Sequence, residues 1–217
     1  MPNAWIQKRK RDQYYRLAKV RGYRSRAAYK LLQAARTYKI IEPGDKVVDL
    51  GCHPGGWLQV SREIVGPEGK VLGMDLKPVE RFLYSNVRTF EIDITNPEVE
   101  KIITSELDGP ADAVVSDLAP SIIGYWEVDH ERQIELAWTA LSIAKQVLSQ
   151  HGNVLIKLFQ GPRLKKFEDE AGLLFDRSRL LKPKASRPES SEVYFLGLGF
   201  KLRWQPANYF GENLRSF

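Results

Sequence analysis

Apolar positions recur along the chain in two alternating periods. Short apolar runs read as strands at Val47–Leu50, Lys70–Leu76, Val87–Ile94, Ala111–Asp117 and Val154–Phe159. Two more read as strands at 173–181 and 193–198. Helical stripes lie between them. Ala28, Leu31, Leu32 and Ala35 share one face behind Ser25 as the predicted cap. Further helices are predicted from Trp57 through Ile64, from Asn96-Pro97 through Ile103, over about 129–149, and from Gly161-Pro162 to Gly172. Strand and helix in alternation predict an α/β fold with a mostly parallel sheet and helices on both faces. The last two strands are joined without a helix, so they should pair antiparallel.

The first strand runs into Gly51-Cys52-His53-Pro54-Gly55-Gly56-Trp57, a glycine turn that opens a helix. Strand, glycine turn and helix form the first unit of a nucleotide-binding fold. The glycines allow a sharp turn and close approach to a ligand. The spacing is not that of the dinucleotide fingerprint, and Pro54 removes an N–H that would cradle a diphosphate. The ligand indicated is a nucleoside without a phosphate chain, and S-adenosylmethionine fits. Asp75 follows Gly51 by 24 residues, near the spacing of an acid that accepts ribose hydroxyls. Asp93 suits either the adenine amino group or a helix cap. Asp117 ends the fourth strand at the crevice edge. Lys157 interrupts the apolar run Val154–Phe159, where an ammonium needs partners. The segment Ser121–Val128 reads as a substrate-side loop, with Tyr125 and Trp126 either stacking on a base or packing.

Charge changes the picture at one end only. Residues 1–39 hold twelve Lys or Arg and a single acid, Asp12, while the rest of the chain is net acidic. Six aromatics are interleaved there, from Trp5 to Tyr38. This combination predicts a basic arm that binds RNA. The arm is assigned to 1–24, the folded domain to 25–202 and a tail to 203–217. No apolar run suits a membrane span, and the basic start lacks the apolar segment of a secretory signal. One cysteine, Cys52, suits a reducing cytoplasm, and three scattered histidines give no metal-ligand spacing. A monomer without a metal is expected.

Taken in order, several motifs resemble the RrmJ/FtsJ family of ribose 2′-O-methyltransferases. They are Ser25-Arg26-Ala27-Ala28-Tyr29-Lys30, Asp49-Leu50-Gly51 with Pro54-Gly55-Gly56-Trp57, Ser116-Asp117-Leu118-Ala119-Pro120, Ile156-Lys157-Leu158-Phe159-Gln160-Gly161, and Arg187-Pro188 with Ser190-Ser191-Glu192-Val193-Tyr194. The resemblance implies a Rossmann-like S-adenosylmethionine-dependent fold with a seven-stranded sheet whose last strand is antiparallel. It places a catalytic tetrad on Lys30, Asp117, Lys157 and Glu192, of which Lys157 is read here as the proton acceptor. It places cofactor contacts on Gly55, Trp57, Asp75, Asp93 and Asp117, and the glycine turn adds Gly51 and Gly56 as expected contacts. The implied substrate is a ribose, a uridine's, in large-subunit ribosomal RNA. The alternatives are a tRNA, or a non-catalytic role in ribosome assembly. Cys52-His53 departs from the small residues usual there, and His53 is expected to point outward. The polar loop before Glu192 is shorter than in the bacterial type.

Overall fold

The computed structural model describes residues 12–202. The first half of the predicted basic arm and the tail at 203–217 lie outside the described residues. Seven strands form one sheet: β1 (Lys46–Leu50), β2 (Lys70–Asp75), β3 (Val87–Glu91), β4 (Ala111–Ser116), β5 (Leu148–Phe159), β6 (Phe175–Leu181) and β7 (Glu192–Phe200). Their order is β3-β2-β1-β4-β5-β7-β6. Neighbours from β3 to β5 are parallel, and β7 is antiparallel to both β5 and β6. The helices are α1 (Gln13–Arg21), α2 (Ala28–Tyr38), α3 (Gly56–Val65), α4 (Val99–Leu107), α5 (Trp126–Val147) and α6 (Leu164–Gly172).

Alternation along the strands splits the core in two. Val48, Leu50, Leu72 and Val114 pack under α4, α5 and α6, with Ile103, Ile134 and Phe167. Val47, Val71, Val115 and Leu155 pack under α1, α2 and α3, with Ala18, Leu31 and Leu58. Both faces are covered, which is why the strands read as continuous apolar runs. Strand order reverses between β1 and β4, so a crevice opens at the carboxyl ends of those strands. The reversed direction of β7 brings its first residue, Glu192, opposite Phe159 at the end of β5. Lys157 pairs with Tyr194 in the same register.

Several boundaries differ from the sequence expectation. β3 ends at Glu91, because Ile92 N–H donates to Asp75 O and the chain then turns at Asp93. The turn expected at His151-Gly152-Asn153 is an irregularity inside β5, where the register with β4 shifts. Helix α5 begins at Trp126, so the substrate-side loop is shorter by three residues. Ser25 does not cap α2, whose cap position, Ala27, offers no side chain. Its hydroxyl instead packs against Gly56.

Part of the basic segment is folded. Asp12 caps α1 by accepting from Tyr14 and Tyr15 N–H, and it pairs with Arg26. Tyr29 meets Tyr14 and Tyr23, each at 5.5 Å between ring centres. Tyr23 donates to Glu63 at 2.7 Å. These rings join α1, α2 and α3 to one another, so they are not the base-stacking aromatics the sequence suggested.

Candidate active site

Four charged side chains from four distant elements meet at one end of the sheet. Asp117 follows β4, Lys157 lies on β5, Glu192 opens β7 and Lys30 comes from α2. The Lys157 ammonium is 3.2 Å from Asp117 Oδ1 and also donates to the Asp117 main-chain carbonyl. The Lys30 ammonium reaches both Glu192 oxygens at 2.8 Å and lies 4.0 Å from Asp117 Oδ1. All four predicted catalytic residues are therefore together.

Tyr194, fully buried, donates its hydroxyl to Asp117 Oδ1 at 2.7 Å. A buried phenol needs such a partner. Burial alone would raise the Asp117 pKa, but Lys157, Lys30 and the Tyr194 hydroxyl together hold it below the usual carboxylate value. Burial and the neighbouring carboxylates push the Tyr194 phenol far up, so it remains a donor. Gln133 of α5 donates to Lys157 O at 2.9 Å and to Leu118 O at 3.2 Å, tying α5 to the site. Gln133 was not singled out in the sequence, and Tyr194 stood there only as the last residue of a motif, with no role given to it. The structure pairs it in register with Lys157.

Beside this cluster a cleft of about 740 Å³ is lined by Gly51, His53, Asp75, Asp93, Asp117 and Arg132 among others. Gly51 has φ +82°, and a Cβ there would lie 2.8 Å from the Leu118 side chain. Gly55 has φ +110°, and its missing Cβ leaves room for the Arg24 guanidinium. The close approach expected of a ligand at Gly55 and Gly56 is thus made by the protein's own Arg24-Ser25. Arg24 also stacks on Phe82 and donates to Glu80 O. The Trp57 indole is buried and donates to Ala27 O at 2.8 Å. Its ring is a strut between α3 and α2, which leaves its main chain, in the first turn of α3, for a ligand.

Asp75 accepts His53 N–H at 2.8 Å and Lys77 N–H at 2.9 Å, which fixes its carboxylate at the end of β2. Asp93 Oδ1 accepts the Thr95 N–H and hydroxyl, and these bonds hold its pKa low. Asp93 Oδ2 has no protein partner among the described residues. Asp93 does not cap the next helix, which starts at Val99 with Glu98 at its cap position, so the cap alternative is overturned. His53 is exposed, with Nδ1 3.1 Å from Pro78 O, yet it also lines the cleft, so it does not simply point outward.

Asp49 was missed as a functional candidate, although an acid inside an apolar strand is a signal in itself. It is 1% exposed, and neither of its oxygens has a hydrogen-bond partner. Burial first, then the charges of Asp117 and Asp75, push its carboxyl well above the ordinary range. Ionised carboxylates are acceptors only. A ligand for this acidic cleft must bring donors and positive charge, and a phosphate chain would be repelled. S-adenosylmethionine brings ribose hydroxyls, an exocyclic amine, an ammonium and a positive sulfur, so the residues present fit it. Among the described residues no His, Cys, Asp and Glu cluster could hold a metal ion.

Comparison with known proteins agrees with this geometry. The FtsJ-like methyltransferase family matches residues 23–200. The chain is 47% identical over 201 residues to the ribosomal RNA large subunit methyltransferase E of Methanothermobacter thermautotrophicus, covering 93% of this chain and 95% of the relative. The protein of that name from Methanocaldococcus jannaschii is 45% identical over 196 residues, covering 88% and 80%. Among solved structures, a ribosomal RNA methyltransferase from Plasmodium falciparum superposes with a TM-score of 0.74 at 26% identity, covering 83% of this chain and all of that one. Fibrillarin from Aeropyrum pernix, at 18% identity and a TM-score of 0.56 over 81% of this chain and 75% of its own, shares the fold. The chain therefore belongs to the FtsJ-like methyltransferase family and is an enzyme that takes its methyl group from S-adenosylmethionine.

Proposed function

We propose that the protein methylates the 2′-hydroxyl of a ribose, a uridine's, in large-subunit ribosomal RNA. The observation that carries this reading is the Lys157 ammonium at 3.2 Å from Asp117, on the rim of the acidic cleft. Bound S-adenosylmethionine supplies a methyl group already activated by its positive sulfur. What the chain must add is placement and removal of one proton. Lys157 acts as the free amine and takes the hydroxyl proton as the oxygen bonds to the methyl carbon and the carbon–sulfur bond breaks. The ammonium so formed lies against Asp117, whose charge stabilises it. Glu192 fixes Lys30, whose positive charge beside Asp117 then orients the ribose and its phosphate.

The names of the relatives, matched over most of both chains, support ribosomal RNA as the substrate. Exposed Arg16, Lys19, Arg21, Arg36 and Lys39 on and beside α1 and α2 support contact with a phosphate backbone. A cytoplasmic location, a monomeric state and action on the ribosomal particle belong to the same reading. The test is to incubate the protein with labelled S-adenosylmethionine and total RNA or large subunits from cells lacking it, and to map the label. Label on a ribose of large-subunit RNA is expected. Label on tRNA overturns the substrate, label on a base overturns the chemistry, and no label overturns both.

A further inference from the structure

The loop between β4 and α5 shows apolar side chains to solvent while being held in place. Ile122, Ile123, Tyr125 and Trp126 are 62%, 48%, 72% and 47% exposed. A run of exposed apolar groups on one short segment marks a contact surface more often than chance scatter does. The segment is pinned. The N–H groups of Ile123 and Gly124 donate to the buried Asp129 carboxylate at 3.0 Å each. Gly124 has φ +88°, a backbone state that suits glycine. Asp129 thus clamps the loop to the first turn of α5.

The exposed ring is also backed. Trp126 stacks on His130, with ring centres 6.0 Å apart and planes 28° apart. It stacks on Phe159 at 6.2 Å and 22°. Burial, with the charge of Arg163, pushes the His130 pKa down, so this imidazole is a neutral plate at neutral pH. His130 Nε2 accepts Arg163 N–H at 3.2 Å, which fixes the ring. Phe159 lies two residues beyond Lys157 on β5 and directly opposite Glu192 on β7. The near-parallel stack is therefore anchored, through Phe159, on the strand that carries the reacting amine.

We propose that Trp126, with Tyr125 next to it, is the platform on which the base of an unpaired nucleotide of the RNA substrate stacks, setting its ribose against Lys157. The inference rests on the ribose-methylation reading and adds how the nucleotide is held. A flat aromatic face accepts any base, because every base has a π-face. The backing ring Phe159 is on the strand that carries Lys157, which favours a nucleotide over a protein partner, and so does parallel ring geometry, which an aliphatic contact would not need.

The test uses the full chain and a labelled single-stranded oligouridylate of about ten nucleotides, a length within the usual single-strand site size. Binding is followed by fluorescence anisotropy for the wild type, Trp126→Ala, Trp126→Phe and Tyr125→Ala. Trp126→Ala should weaken binding about 5- to 100-fold, the range of one lost stack. Trp126→Phe should stay within about threefold of wild type, since a ring remains. Tyr125→Ala removes a largely exposed side chain, so its loss of affinity cannot come from misfolding. An abasic oligomer of the same length should bind all four proteins alike. The platform is overturned if the wild type does not bind the oligouridylate, if Trp126→Ala binds it as tightly as wild type, or if the abasic oligomer suffers the same loss. A protein that shows the stacking pattern but transfers no methyl to RNA keeps the platform and loses the ribose-methylation reading. A protein that methylates RNA with the same KM in Trp126→Ala loses the platform alone.

Discussion

Lys30 and Glu192 are 162 positions apart in sequence and meet at 2.8 Å through both carboxylate oxygens. One comes from a helix that precedes the sheet, the other from the first residue of its last strand. Their side chains are 11% and 14% exposed, so the pair is largely out of water. Removing one partner leaves the other charge without compensation. Lys30→Ala or Glu192→Ala should each cost on the order of 1–3 kcal/mol. The double variant should lose clearly less than the two single losses combined, because the members are coupled. Thermal unfolding of the three variants checks this, and simple additivity would contradict it.

Lys157 bears on turnover rather than on cofactor binding. Lys157→Ala should lower methyl transfer by about 10²- to 10⁴-fold, the usual worth of a positioned base. Affinity for S-adenosylmethionine, measured by calorimetry, should change little, since the cleft carboxylates remain. Near-normal turnover in this variant would remove Lys157 from the mechanism.

Tyr194 sets how readily Asp117 stays ionised. The Asp117 pKa is depressed in the folded protein, so the charged form persists well into acid and is lost only as pH falls through that value. Tyr194→Phe removes one of the donors that holds it there. The Asp117 carboxyl should therefore titrate at higher pH in the variant than in the wild type. A carboxyl-carbon NMR titration of both proteins decides the matter, and an unmoved Asp117 titration would count against the role given to the Tyr194 hydroxyl.

Asp49 should lower the stability of the ligand-free protein. Its folded carboxyl titrates far above its unfolded one, so the folded state holds a proton that the unfolded state releases. Stability then falls as pH rises above the unfolded value of about 3.9, by up to about 1.4 kcal/mol per pH unit until the folded value is reached. Asp49→Asn has no such proton to hold. The variant should gain on the wild type in Tm as pH rises above about 3.9, as calorimetry without cofactor would show.

The charged face of α1 should act through phosphates alone. Replacing Arg16, Lys19 and Arg21 with Ala should weaken RNA binding evenly across sequences. The slope of log affinity against log salt should become shallower by about one for each phosphate that is no longer neutralised. An unchanged slope in a salt titration would remove this face from the RNA path.

Much of this was legible in the sequence, for identifiable reasons. Apolar runs at Val47–Leu50 and Val154–Phe159 pointed to strands covered on both faces, and a lysine inside the second run demanded partners that the fold supplies. The antiparallel pairing of β6 and β7 followed from a loop with no helix. What stayed hidden depends on contacts between distant segments. No local pattern hints that Arg24 fills the space over Gly55, or that the Trp57 indole is spent on Ala27 O. Tyr14, Tyr23 and Tyr29 looked like RNA-facing rings, but a tyrosine in a basic stretch serves packing or stacking equally well until its neighbours are known.

The direction and place of β7 have a further consequence. It is the last strand among the described residues, yet it is inserted between two strands made earlier, β5 and β6. Until it slots in, Lys30 has no anchor and Asp117 lacks its phenol. The two side chains that β7 brings to the crevice, Glu192 and Tyr194, therefore arrive there only once the whole sheet has closed.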